Sequence, residues 1–209
     1  MIQYFLERPY LIAIMAAVIL LTLFVCVKAG QASAKRSKAN EAIIKRLKEE
    51  NELRNEFSVL TEKLAADADA IRLFKGVALN LQKKISDAED MISEFDALND
   101  AQRDIYALSF VVEDGEKALS DFFRANGQPL TRTSLGAVKR LFNGKIYEIF
   151  EKEYNAFDSE NEDASMIPSE IDALDKEFAE IISADEICRK AGGFIKDNID
   201  KFIYNSASC

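Results

Sequence analysis

The sequence predicts an all-α protein: a single N-terminal transmembrane helix, a long amphipathic helix, then a compact helical domain. Three observations predict it. An uncharged apolar run stands near the start, apolar residues after Asn40 recur at helical spacing, and no segment shows sustained strand alternation with turns at hairpin spacing. The 209 residues include only 8 Gly and 3 Pro, which argues against a loop-dominated chain and against a Gly-rich phosphate cradle.

Tyr10 to Val27 reads YLIAIMAAVILLTLFVCV, 18 residues without a charge or a strong polar group. A span takes about 20 apolar residues, and residues 9–29 have that length. Pro9 suits a first helical position, where its missing N–H would be unpaired anyway. Residues 1–8 hold Glu7 and Arg8, whereas Lys28, Lys35, Arg36 and Lys38 follow the run. Basic residues stay on the cytoplasmic side, so residues 1–8 are expected outside and the remainder inside the inner membrane. The alternative is a signal peptide cleaved near Ala32-Ser33-Ala34 and a secreted chain. The apolar run exceeds the usual length of about 7–15 residues for such a peptide, and a basic cluster behind it favours retention. The three cysteines fit a reducing compartment: Cys26 falls in the span, Cys188 on an apolar helical face, and Cys209 is the last residue.

Residues 30–97 read as a basic juxtamembrane segment and a helical stalk. Asn40 is a suitable N-cap, with Glu41 in the first turn. Ile43, Ile44 and Leu47 lead to Leu53, Phe57, Leu60 and Leu64, spaced 4, 3 and 4, and Ile71, Phe74, Val77, Leu81 and Ile85 continue the seam. An unbroken helix here would be about 85 Å long, so a stalk or a bend near Gly76 is expected. Self-association as a homodimeric coiled coil is one use of the seam; packing on the same chain is the other. The six-residue gap from Leu47 to Leu53 breaks a strict heptad.

Residues 98–209 read as the compact domain. Asn99 with Gln102 makes a capping box for a helix over Asp100–Val112. Asn126-Gly127-Gln128-Pro129 is a turn, and a helix from about Thr133 carries Leu135, Val138, Phe142, Ile146, Ile149 and Phe150 inward. Ser169 and Ser183 both stand where helices start. Phe122-Phe123 is expected in the core, and Glu113 at a solvated helix end.

Gln102-Arg103, then Glu113, then Phe122-Phe123 form an order of features that resembles a family of bacterial all-α domains of unknown function that includes a DNA-mimic protein. Gln102-Arg103, Glu113 and Phe122-Phe123 match its spacing. Gly115-Glu116-Lys117-Ala118-Leu119 stands where its Asn-Gly-Gly-Phe turn belongs, with Leu119 at the Phe position. Leu174-Asp175 with Phe178, and Phe194-Ile195-Lys196-Asp197-Asn198 with Phe202, resemble its closing helices. The likeness covers about residues 90–204 and implies a helical fold and, by analogy with one member, a regulator that sequesters a DNA-binding protein.

Charge is concentrated. The window 148–186 holds fourteen acids and two bases, Lys152 and Lys176, within a chain of formal net charge −9. Such a surface repels nucleic acid, so direct nucleic-acid binding is not expected. It either solvates the domain or recognises a basic protein partner, through Glu151, Glu153, Asp158, Glu160, Glu162, Asp163 and Glu170. The loop from Asp158 lacks the Gly and Glu of a calcium-binding EF-hand, so no metal is expected there. With no His, and no GxSxG, Walker or GxGxxG motif, neither an enzyme nor a cofactor is expected. The predicted function is therefore a membrane-anchored, non-enzymatic protein whose acidic cytoplasmic domain binds another protein. A DNA-mimic regulator and a self-associating stalk protein are the alternatives.

Overall fold

The computed structural model describes residues 40–142, 144–157 and 167–203, and its regular elements there are all helical. The expected span 9–29, residues 1–8, and Lys28, Lys35, Arg36 and Lys38 lie outside the described residues. Among the described residues no helix is long and apolar enough to cross a membrane. The chain divides into two units, residues 1–49 and 50–209. The described part of the first, residues 40–49, is helical.

The long helix or helix pair expected over residues 40–96 is four helices: α1 (residues 40–56), α2 (Glu62–Asp67), α3 (Ala70–Ser86) and α4 (Met91–Ala97). Polar side chains that look like the solvent face of one helix act as N-caps. Thr61 Oγ1 accepts from the Leu64 N–H at 3.2 Å. Asp69 Oδ1 accepts from Ile71 and Arg72 at 3.0 and 3.1 Å. Asp90 Oδ1 accepts from Ile92 and Ser93 at 3.0 and 3.2 Å. Each such cap stabilises its helix start by about 1 kcal/mol. Gly76 does not bend the chain. It sits in the middle of α3, and the Phe57 ring lies on it so closely that a Cβ there would fall 2.1 Å from Phe57 Cδ2.

The remaining helices follow in order. α5 (Asp100–Asp114) starts with the expected capping box: Asn99 Oδ1 accepts from the Gln102 N–H at 3.0 Å, and Gln102 Oε1 from the Asn99 N–H at 3.3 Å. α6 (Leu119–Ala125) follows after residues 115–118, where no residue takes a positive φ. The helix expected from Thr133 through Phe150 is two, α7 (Leu130–Leu141) and α8 (Gly144–Phe157), because the backbone turns extended at Phe142. α9 (Pro168–Ile181) starts at Pro168 rather than under a Ser169 cap, with the Glu170 carboxylate accepting from the Ile167 N–H at 3.3 Å. α10 (Ala184–Asp197) starts as expected, with Ser183 Oγ accepting from the Glu186 N–H at 3.2 Å. A 3₁₀ turn, Ile199–Lys201, closes the described chain.

The core is built on α3 packed against α10, with α5 crossing both and α7 and α8 beyond it. α3 buries Leu73, Phe74, Val77, Leu81 and Ile85; α10 buries Ile187, Cys188, Ala191 and Ile195. At their contact Gly192 meets the Ala70 backbone, where a Cβ would lie 2.0 Å from the Ala70 carbonyl oxygen. Polar bonds tie the end of α10 and the turn after it to α2 and α5. Lys196 Nζ donates to the Ala66 and Ala68 carbonyls at 3.1 and 2.6 Å. The Asn99 and Gln102 amides donate to the Lys201 carbonyl at 2.8 and 2.9 Å.

These contacts correct the boundary expected at residue 97. Phe57 and Leu60 are buried in the core shared with α5 and α10, and Leu53 and Leu64 are half-buried against it. Residues 50–97 are therefore part of the body, not a stalk. The periodicity of the seam shows that one face is buried but not what buries it. Residues 98–209 alone are expected to show no cooperative melt by circular dichroism, whereas residues 50–209 unfold in one transition. Gly192→Ala is expected to cost about 1–3 kcal/mol in urea unfolding of the same body, as overpacking does.

Candidate functional site

The acidic helices α8 and α9 pack on each other and on α6. α8 turns Ile146, Ile149, Phe150, Glu153 and Tyr154 inward, spaced 3, 1, 3 and 1, a continuous helical stripe with a carboxylic acid in it. Around it is an aromatic cluster. Phe123 lies edge-on to Phe150 with centroids 5.0 Å apart and stacks on Phe157 at 5.9 Å; Phe150 reaches Phe178 at 6.5 Å. Phe122 and Phe123 are thus core residues, as expected.

Glu153 is fully buried, and neither of its carboxyl oxygens has a hydrogen-bond partner among the described residues. Burial, and then the negative charge of Asp175, push its carboxyl up to about 8, against a smaller opposing pull from Arg124. Near neutral pH it is mostly a neutral acid. This overturns its assignment to the acidic surface. An apolar-side position at i, i+3 and i+4 spacing overrides the residue's usual preference for water, and the group responds by holding its proton.

A second polar cluster lies alongside. The Ser120 N–H donates to Asp175 Oδ1 at 2.8 Å and its hydroxyl to Oδ2 at 2.7 Å. Arg124 Nη1 donates to Ser120 Oγ at 2.8 Å, and its guanidinium lies 5.4 Å from the Phe157 centroid. Asp175 thereby caps α6 from across the interface, because the residue at its N-cap, Ala118, has no side-chain acceptor. Both Ser120 protons are committed to Asp175 and the residue is fully buried, so the arrangement orients helices rather than presenting a nucleophile.

The acids assigned to a partner surface take several positions. Glu151 is half-buried and accepts from the Tyr147 hydroxyl. Glu170 is exposed and accepts from Ile167. Asp158, Glu160, Glu162 and Asp163 lie outside the described residues. Sequence reasoning did not single out Glu148, Asp172, Glu180, Asp185 and Glu186, which are exposed on α8, α9 and α10. Their outward positions follow from the inward stripes of those helices once these are known. Lys145 pairs with Glu177 at 3.1 Å and Lys176 with Glu180 at 4.0 Å, so part of the negative charge is offset locally.

A cavity of about 410 Å³ opens between α3, α4 and α5, lined by Gln82, Lys83, Met91, Tyr106, Phe110 and Glu113 among others. The Gln82 amide donates to Ser109 Oγ at 3.0 Å and to Glu113 Oε1 at 3.1 Å. Burial, with the Glu113 charge, raises the Tyr106 phenol, which stays protonated. Among the described residues, no three acidic or cysteine side chains are grouped to hold a metal ion. Elsewhere, Asp104 is buried in a two-pronged pair with Arg140, whose Nε donates to Oδ2 at 2.7 Å. Cys188 is buried and free, and burial pushes its thiol up to about 11, which leaves it inert.

No family model, curated protein or solved structure matches this chain.

The buried acid makes stability depend on pH in a defined direction. Its folded value, about 8, lies above the ordinary value of 4.5, so folding favours the protonated form. That stabilising difference is complete below about pH 4.5 and is lost as pH rises through about 8, with a slope of up to ~1.4 kcal/mol per pH unit in between. Glu153→Gln is expected to flatten the decline, so that urea midpoints of the two proteins separate in favour of the variant at about pH 8.5 and converge at about pH 5.

Proposed function

We propose that this is a non-enzymatic, single-pass protein held in the inner membrane by residues 9–29, whose cytoplasmic body binds a basic protein partner through its acidic helices. The observation that carries the reading is the exposed set Glu148, Asp172, Glu180, Asp185 and Glu186 on α8, α9 and α10, in a window of fourteen acids and two bases. Complementary charge at an interface speeds encounter and selects the partner. The uncharged run at residues 10–27 and the basic residues Lys28, Lys35, Arg36 and Lys38 behind it support the anchor and its orientation.

A DNA-mimic regulator is the second reading, favoured by the likeness across residues 90–204. Its matched positions do structural work in the fold: Gln102 caps α5, Arg103 pairs with Asp100 at 2.5 Å, and Phe122-Phe123 fills the core. What would mimic a phosphate backbone is the exposed acid alone. A self-associating stalk would rest on Ile43, Ile44 and Leu47, since Phe57 and Leu60 are buried in the chain's own core.

Charge reversal tests the first reading. Glu148→Lys, Asp172→Lys and Glu180→Lys leave in place Glu151 and Glu170, which hold Tyr147 and Ile167. In the full chain purified from membranes the triple variant is expected to weaken partner capture by about tenfold or more at low salt, equivalent to ~1.4 kcal/mol. Equal capture by both forms contradicts it. Competition between DNA and this chain for the same partner separates the DNA-mimic reading, and protease protection of the C-terminus in sealed cells reads the orientation.

A further inference from the structure

Residues 40–49 form a helical segment whose apolar side chains are left in water. Ile43, Ile44 and Leu47 are 56%, 53% and 58% exposed. At about 100° per residue these three fall within a stripe roughly 100° wide, bordered by Arg46 and Glu50 on one side and by Lys48 and Glu41 on the other. Lys45 projects from the opposite face, where it pairs with Glu49 at 3.7 Å. An exposed apolar stripe with a long basic side chain at each border suits a helix lying in a membrane surface, where the stems of Lys and Arg cover apolar area.

We infer that residues 40–48 lie flat on an anionic bilayer surface, Ile43, Ile44 and Leu47 in the acyl boundary and Lys48 at the headgroup phosphates. The inference rests on the anchor reading for its geometry: the uncharged run ends at Val27, and Lys28, Lys35, Arg36 and Lys38 put four cations in the thirteen residues between that run and Glu41. Each cation near an anionic surface contributes about 1 kcal/mol. A second copy of the chain is a poorer occupant. The apolar stripe stops at Leu47, with Glu50, Asn51 and Arg54 in the next two turns, so no seam of three or four heptads follows.

The chain contains no Trp, so one introduced indole reports alone. Ile44→Trp and Lys45→Trp full-length proteins are reconstituted in vesicles of phosphatidylcholine with phosphatidylglycerol, and of phosphatidylcholine alone, each with and without brominated acyl chains. The inference expects bromine quenching in the Ile44→Trp protein to exceed that in the Lys45→Trp protein by about twofold or more, and to fall in the uncharged vesicles. Equal, weak quenching in both proteins overturns it. If the indole at position 44 is shielded from aqueous quenchers without bromine quenching, the inference is also overturned, in favour of a second copy or another protein. Alkaline extraction of the same vesicles reads the span separately. A chain that resists extraction while the indole at position 44 stays in water keeps the anchor and sinks the surface helix. A chain stripped by alkali that showed bromine quenching beforehand keeps the surface helix and sinks the anchor.

Discussion

The body is held together by the approach of two helices at its opposite chain ends. α3 and α10 come so close at Gly192 and Ala70 that no side chain fits between them. That proximity lets Phe74, Leu81, Cys188 and Ile195 share one interior with α5. Lys196 ties α10 to the end of α2, and Asn99 and Gln102 tie the start of α5 to Lys201. Contacts of this sequence separation cost loop-closure entropy, and the apolar area buried along α3 and α10 offsets it.

Much of the fold was legible in the sequence where local physics decides. The Asn99–Gln102 capping box, the Ser183 cap, the burial of Cys188 and of Phe122-Phe123, and the helical class itself follow from spacing and side-chain chemistry. What was not legible depends on partners distant in the chain. Thr61, Asp69 and Asp90 are ordinary polar positions on a continuous helix until the chain is seen to break before each of them. Gly76 resembles a hinge in the sequence because nothing local shows the Phe57 ring resting on it. Of the two uses of the seam, packing on the same chain holds from Leu53 onward for the same reason: the 4, 3, 4 spacing of Leu53, Phe57, Leu60 and Leu64 describes one buried face, and part of its cover is supplied by α10, far along the chain.

The acidic helices show the limit of counting charges. Fourteen acids stand in the window, yet Glu153 carries a proton near neutral pH, Asp175 caps a helix, and Glu151 and Glu170 hold internal bonds. The exposed negative charge comes instead from residues such as Glu148 and Asp172, whose outward positions follow only from the phase of the inward stripe. The 3, 1, 3, 1 spacing of Ile146 to Tyr154 already placed Glu153 among apolar neighbours, and that was the signal available in advance. The Ser120–Asp175 cap had a fainter signal, the absence of any capping side chain at Ala118.

These features make residues 50–203 one cooperative body, with residues 40–49 a separate unit. Native-state hydrogen exchange tests that claim most directly, because it resolves the free energy of opening helix by helix. The account predicts that the amides of α3, α5 and α10 share the slowest exchange and open together, while those of residues 40–49 in detergent-free buffer exchange fast. Loss of protection in α3 while α5 and α10 remain protected would contradict it.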